Sequence, residues 1–394
     1  MDIFEEIDYY DNLFNDDSNR RLNFRVPLRY LRDVQDPYNC ENFKKRYRFS
    51  QDVVKSVILP LIDQDLRKLS NRGHPIAPEL QILVCLRFYA TASFQVSFFY
   101  SHYNNKQVYK KNINSAKLII VGTHANIFLF LQIVCGDLLN VSQPAASNIV
   151  ANVSRLIALQ QRHYIKYPQD MVSHRAQFAQ LGQCQQNPGL RNVDGAIDCT
   201  HIKIVNTPGV EHHEAYRNRK SYFSINVQAV VGPFGNFMDI VARWAGSTHD
   251  SRIFQMCLLR TKYIQQQHTG YLIGDSGYPC LRFLLTPVGT PTTHAEQVYN
   301  RVHVKTRNVV ERTFGRWKRR FPCLSRGLGN KLTTVSNIIV ACAVLFNISL
   351  STNDMMPSYE EDNDINEEVS YDESNNEGTT DGFAFRNTII NNYF

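Results

Sequence analysis

Four acidic residues stand where phosphoryl chemistry would need them. Asp198 interrupts an apolar run, VDGAIDCTHIKI, that reads as a β-strand. An acid inside a strand is costly unless it is paired or binds a cation. Asp275 follows a second short apolar run, in Gly274-Asp275-Ser276-Gly277. That is the carboxyl end of a strand, where sites in α/β sheets collect. Asp250 follows a third strand, in Gly246-Ser247-Thr248-His249-Asp250. Glu311 lies on an amphipathic helix expected over about 307–321, beside an apolar stripe of Val310, Phe314, Trp317 and Phe321. Carboxylates brought together from separate elements are ligands for hard cations such as Mg²⁺ or Mn²⁺. Two such ions about 3.5–4 Å apart can activate a water and stabilise the leaving oxygen of a phosphodiester.

Each residue taken alone has a plainer reading. An Asp at a strand end is commonly a turn or cap residue. A Glu on an amphipathic helix is usually solvated. Arg312, Arg316, Lys318, Arg319 and Arg320 suit contacts to a nucleic-acid backbone, but such a run also serves as a nuclear-import signal or an exposed face. The ordered combination is what favours chemistry.

The elements that must position these residues follow from periodicity. Strands are expected at Ala196 to Val205 and on either side of Gly232-Pro233-Phe234-Gly235, which joins a hairpin. A helix follows at DSRIFQMCLLRTKY, then a short strand at GYLIGDSGYP, the basic helix, and an apolar helix, VSNIIVACAVLFNISL. Together they make a mixed α/β domain. Upstream, residues 50–95 read as helices, the first capped by Ser50. Residues 133–160 read as helix, turn, helix. In a helix-turn-helix the second helix enters a major groove, which would present Gln143, Ser147 and Asn148 to DNA; a purely structural helical pair is the alternative. Between these helices, residues 96–132 follow neither period and are rich in Tyr, Asn, Lys and Phe. They read as an insertion, either a translated intron or a family-specific loop.

Charge is unevenly distributed along the 394 residues. The formal net charge is only +7, yet residues 20–351 hold 42 basic and 18 acidic residues, a net +24. Residues 1–19 and 352–394 are acidic. A basic middle between acidic ends suggests a polyanion partner, and equally a solvated surface with disordered tails. The stretch from about Thr352, NDMMPSYEEDNDINEEVSYDESNNEGTTDG, reads as a disordered acidic tail. The nine cysteines never form Cys-x-x-Cys, which disfavours a zinc site or a disulfide framework and favours a reducing compartment. No secretory segment or membrane span is expected.

Two other motifs are weaker. Gly274-Asp275-Ser276-Gly277 matches the nucleophile loop of trypsin-like proteases, but His201 and His249 lack the surroundings of a base in that mechanism. His212-His213-Glu214 lacks zinc-ligand spacing and reads as surface histidines.

The strings VDGAIDCTHIKI, WAGSTHDSRIF, YLIGDSGYP and NVVERTFGRWKRRFPCL, in this order, resemble DDE superfamily transposases of the PIF/Harbinger type. They are most similar to the Harbinger transposase-derived nucleases of animals. The resemblance covers about 45–350 apart from the insertion. It implies an RNase H-like α/β catalytic domain with Asp198, Asp275 and Glu311 as a metal-binding triad and Asp250 as a further metal-associated acid. The organisation expected is an acidic segment at 1–49, a helical, helix-turn-helix-like region at 50–180, the nuclease domain at 181–351 and the tail at 352–394. The resemblance also implies a separate Myb-like DNA-binding partner, action on DNA as a homo-oligomer, and location in the nucleus and also the cytoplasm. A domesticated transposase that keeps the fold but acts as a DNA-binding or scaffold protein is the alternative.

Overall fold

The computed structural model describes residues 38, 42–67, 75–91, 141, 143–183, 187–205, 213–356 and 378–394. The 96–132 segment, the first helix of the expected helix-turn-helix and His212 lie outside them.

Five strands form one sheet in the order β3-β2-β1-β4-β5. They are β1, Val193–Lys203; β2, Ser224–Val231; β3, Phe237–Ala245; β4, Tyr271–Ile273; and β5, Leu284–Leu285. β1 pairs antiparallel with β2 and parallel with β4. It is therefore the seam between an antiparallel hairpin and a parallel pair, and it carries Asp198 at that seam. Every residue of β2 is buried. Its sequence, SINVQAVV, alternates Ser224, Asn226 and Gln228 with Ile225, Val227 and Ala229, so its polar face is buried along with its apolar one.

Residues 51–66 are helical, with the Ser50 hydroxyl accepting from the Val53 N–H, and the described helices also include α1, Pro78–Thr91; α2, Gln143–Leu159; α3, Met171–Gly182; α4, Asp250–Gln255; α5, Leu258–Ile264; α6, His294–Arg320; α7, Leu332–Ser351; and α8, Thr380–Tyr393. Three of them differ from the expectation in instructive ways. The single helix expected from Asp250 is two, with the break at Met256 and Cys257. The basic helix begins at His294, thirteen residues before Arg307, behind a capping box of Thr293 and Glu296. The extra length buries Val298, Tyr299, Val302 and His303.

The third difference is a correction to the tail. Residues 378–394 fold, with Ile389 and Ile390 buried and the Arg386 guanidinium donating to the carbonyls of Thr286 and Pro287. The acidic stretch ends at Asp381, and FAFRNTII beyond it supplies the apolar face that the preceding composition conceals.

The stripe on α6 packs as its spacing requires, with Val310, Trp317 and Phe321 fully buried. Trp317 meets Phe237 of β3 edge-on, with ring centroids 5.1 Å apart, and Phe237 meets Phe346 of α7 at 5.7 Å. This aromatic group locks α6 against the sheet. One continuous core runs through the sheet and the upstream helices across the boundary expected at 180–181. Tyr89 of α1 shares a buried hydrogen bond with Ser154 of α2, 2.7 Å long. α7 is uncharged and apolar enough, by length and composition, to cross a membrane. It is mostly buried in the core.

Asn347 fastens α7 to the edge strand. Its Oδ1 accepts from the Phe237 N–H, and its Nδ2 donates to the carbonyls of Phe237 and Tyr164. Asn347→Leu leaves the buried Phe237 N–H without this acceptor, at a cost of about 1–3 kcal/mol. Urea denaturation of the two proteins side by side is expected to show that loss; an unchanged midpoint would contradict the role.

Candidate metal centre

Three of the four acids converge. Asp198, Asp250 and Asp275 each offer a carboxylate oxygen, and these oxygens lie within 4.8 Å of one another. Asp198 comes from the middle of β1, Asp275 from the turn after β4, and Asp250 from the first residue of α4. The parallel pairing of β1 and β4, with Ala196 opposite Ile273, sets the first two side by side. Each is also held locally. The Cys199 N–H donates to Asp198 Oδ1 at 2.7 Å, and the Gly277 N–H donates to Asp275 Oδ1 at 3.0 Å. Gly274 makes the close passage possible, since a Cβ there would meet the Tyr278 ring at 3.0 Å.

Asp250 is positioned by a residue that the sequence reading missed. Asn226, on β2 and 1% exposed, donates from Nδ2 to Asp250 Oδ1 at 3.0 Å and to the Thr248 carbonyl at 2.9 Å. The available signal was the row of polar residues Ser224, Asn226 and Gln228 alternating with apolar ones in SINVQAVV.

Arg307 is the second residue missed. Its guanidinium stands between Asp198 (3.4 Å) and Glu311 (2.7 Å). Glu311 lies on the same side of α6, one turn on, held by Arg307 and half exposed, outside the cluster of three. Arg307 is readable in hindsight as the i−4 neighbour of Glu311 on one helix face.

The electrostatics follow from this geometry. Burial, then the neighbouring Asp275, raises the Asp198 carboxyl well above the usual aspartate range, against the opposing pull of Arg307. Asp275 is also raised, first by burial and with Asp250 and Glu311 adding to it, while Arg307 and the Gly277 N–H oppose. Such a site holds more negative charge than its one guanidinium balances. Oxygen ligands at this separation, with excess negative charge, suit a small divalent cation. The residues fit Mg²⁺ or Mn²⁺, with Asp198, Asp250 and Asp275 as holders.

The basic residues expected to meet DNA lie in four different settings. Arg312 and Arg319 lie on the exposed side of α6. Lys318 turns inward, donating to Thr200 Oγ1 at 2.6 Å and to the His201 carbonyl at 3.1 Å. Burial, with Lys220 nearby, pushes its ammonium down to about 8. Arg316 lies over the Phe346 ring. Arg320 does not have the expected role. It is 4% exposed, donates to the Arg48 carbonyl and lies over Phe49, so it joins the upstream segment to α6 and does not face a phosphate. Ser147 and Asn148 are exposed on α2. Gln143 begins that helix, and its side chain lies outside the described residues.

A mixed α/β fold with a carboxylate cluster at the seam of its sheet defines the class, and comparison with known proteins agrees. Residues 197–347 match the family described as "DDE superfamily endonuclease". The human protein called "Putative nuclease HARBI1" is 30% identical over 324 residues, covering 81% of this chain and 79% of that protein. Its cattle counterpart is 31% identical over 327 residues with the same coverage. "Protein ALP1-like" of Arabidopsis thaliana is 27% identical over 241 residues, 56% of this chain and 57% of that protein. The chain belongs to the Harbinger transposase-derived nuclease family of DDE superfamily endonucleases. No solved structure matches it.

Two outcomes follow. An acid with a raised pKa in the fold stabilises below its unfolded value and loses that contribution as pH rises through the folded value. The metal-free protein should therefore lose stability as pH climbs past the aspartate range, and Mn²⁺ should restore more at pH 8 than at pH 6. Asp198→Asn should raise the metal-free melting temperature at pH 8 by about 2–4 °C and lose the response to Mn²⁺. Calorimetric melting checks both, and an undiminished Mn²⁺ response in the variant contradicts the site. Asn226→Leu should weaken Mn²⁺ binding about 10–100-fold, measured by calorimetric titration; unchanged affinity would remove Asn226 from the metal site.

Proposed function

We propose that this protein is a divalent-metal-dependent DNA endonuclease that hydrolyses phosphodiester bonds in an RNase H-like catalytic domain. The convergence of Asp198, Asp250 and Asp275 from three elements carries the reading. Family membership supports the class of reaction. When bound, the cations supply activation of a water and stabilisation of the leaving oxygen, the two-metal chemistry of DDE nucleases.

The chain's own groups divide the remaining work. Asp198, Asp250 and Asp275 hold the cations, and burial keeps competing water from weakening that hold. Arg307 keeps Asp198 and Glu311 in reach of each other, and Glu311 completes the second ion's ligands in this reading. Asp250 and Asp275 line a polar groove of about 630 Å³ that includes His201, Arg219, Arg252 and Ser276. Arg312 and Arg319, exposed on α6, supply attraction for a nucleic-acid backbone. The +24 of residues 20–351 supports DNA as the polyanion. Assembly as a homo-oligomer on DNA, a Myb-like DNA-binding partner, and a nuclear and also cytoplasmic location belong to the same proposal and rest on family likeness.

A supercoiled-plasmid nicking assay with Mg²⁺ or Mn²⁺ tests it. Wild type is expected to nick, and Asp198→Ala and Glu311→Gln to fall by about a hundredfold or more. Equal activity in all three would contradict the assignment. DNA binding with no metal-dependent cleavage by wild type would favour the catalytically silent reading.

A further inference from the structure

The turn between Tyr216 and Phe223 is built as carefully as the metal site, and nothing in the chemistry above accounts for it. Asn218, 6% exposed, accepts at Oδ1 from the backbone N–H groups of Lys220 and Tyr222. Its Nδ2 donates to Ser224 Oγ, which also bonds to Nδ1 of His201 on β1. The Asn218 N–H donates to the Tyr222 carbonyl and the Ser221 N–H to the Asn218 carbonyl, closing a tight turn in which Ser221 takes a left-handed φ of 63°. The turn is pressed onto the end of β3. The Ser247 N–H donates to the Ala215 carbonyl, and a Cβ on Gly246 would come within 2.5 Å of the Tyr216 carbonyl oxygen.

This rigid turn presents two exposed cations: Arg219, which lines the groove, and Lys220, next to it in the turn. Arg219 Nη2 donates to His249 Nδ1 at 2.8 Å, so its guanidinium is fixed one residue from Asp250. Lys220 lies near enough to Lys318 to oppose its charge. Among the described residues neither Arg219 nor Lys220 pairs with a carboxylate, and Lys318 spends its hydrogen bonds on Thr200 Oγ1 and the His201 carbonyl. An anion seated against Arg219 and Lys220 would supply the partner they lack. Surface solvation alone does not need a buried asparagine to fix where the charges point.

We propose that the Asn218–Tyr222 turn is a phosphate clamp, in which Arg219 and Lys220 grip the backbone of the DNA strand beside the bond presented to the metal centre. Asn218 is the positioning residue that sets their direction. The clamp rests on the nuclease reading, because it takes DNA as the anion. It reads no base sequence, since guanidinium and ammonium contacts to phosphate carry none.

The test is fluorescence-anisotropy titration of the full chain with a labelled random-sequence duplex, in Ca²⁺ and across about 50–200 mM salt. Each phosphate contact contributes about 0.9 to the slope of log affinity against log salt. Replacing both residues (Arg219→Ala with Lys220→Ala) should lower that slope by about 2 and weaken binding about tenfold or more at the lower salt. Lys220→Gln alone should lower it by about 1, and Arg219→Lys should keep the wild-type slope. Mn²⁺ affinity equal to wild type verifies that the site is folded in each. An unchanged slope in the double variant, with wild type binding normally, overturns the clamp and leaves the nuclease reading standing. Failure of wild type to bind the duplex at all overturns both.

Discussion

Three carboxylates held within one small volume repel one another, and much of the surrounding structure answers that repulsion. Asp198, Asp250 and Asp275 are partly withdrawn from water and press on each other. In the described residues, Arg307 is the one guanidinium bonded into the cluster, and it is shared with Glu311. A fold that needed only stability would not place an acid in the strand at the seam of its sheet. The excess negative charge suits a divalent cation and comes at some expense to the metal-free fold.

The Cys199 and Gly277 N–H groups hold single acids locally, but what brings the acids together is long-range. The β1–β4 parallel pairing aligns Asp198 with Asp275. Asn226 on β2 brings in the start of α4. The Phe237–Trp317–Phe346 group and Asn347 fix α6 and α7 against the sheet, and with them the helix that carries Arg307, Glu311 and Lys318. The upstream helices are part of the same arrangement. Asp354 accepts from the Ser50 N–H and pairs with Lys44, while Arg320 reaches the Arg48 carbonyl. The basic helix is therefore anchored at its C-terminal end by the segment that begins the helical region.

The acids and most elements were legible in the sequence because each had a local signature. Asp198 broke an apolar run, Asp275 sat in a glycine-flanked turn, and the α6 stripe had a helical period. The partners were not legible, because they are defined by who faces whom across the sheet. Asn226 is one of three alternating polar residues in β2 until β2 is paired with β3 and α4 is set over it. Arg307 reads as one more cation in a basic stretch until its distances to Asp198 and Glu311 are known. Arg320 shows the reverse error: its neighbours in sequence implied exposure, whereas a helix of 3.6 residues per turn carries it to the buried face beside Trp317. The tail misled for a compositional reason, since acidic residues up to Asp381 masked the apolar face of the last helix.

The central claim is that these three aspartates form one divalent-cation site. Anomalous diffraction at the manganese edge, from crystals of the full chain grown with Mn²⁺, tests it most directly. The account predicts a manganese peak liganded by carboxylate oxygens of Asp198, Asp250 and Asp275. Saturating Mn²⁺ with no peak among them, or a peak held by other residues alone, would contradict it.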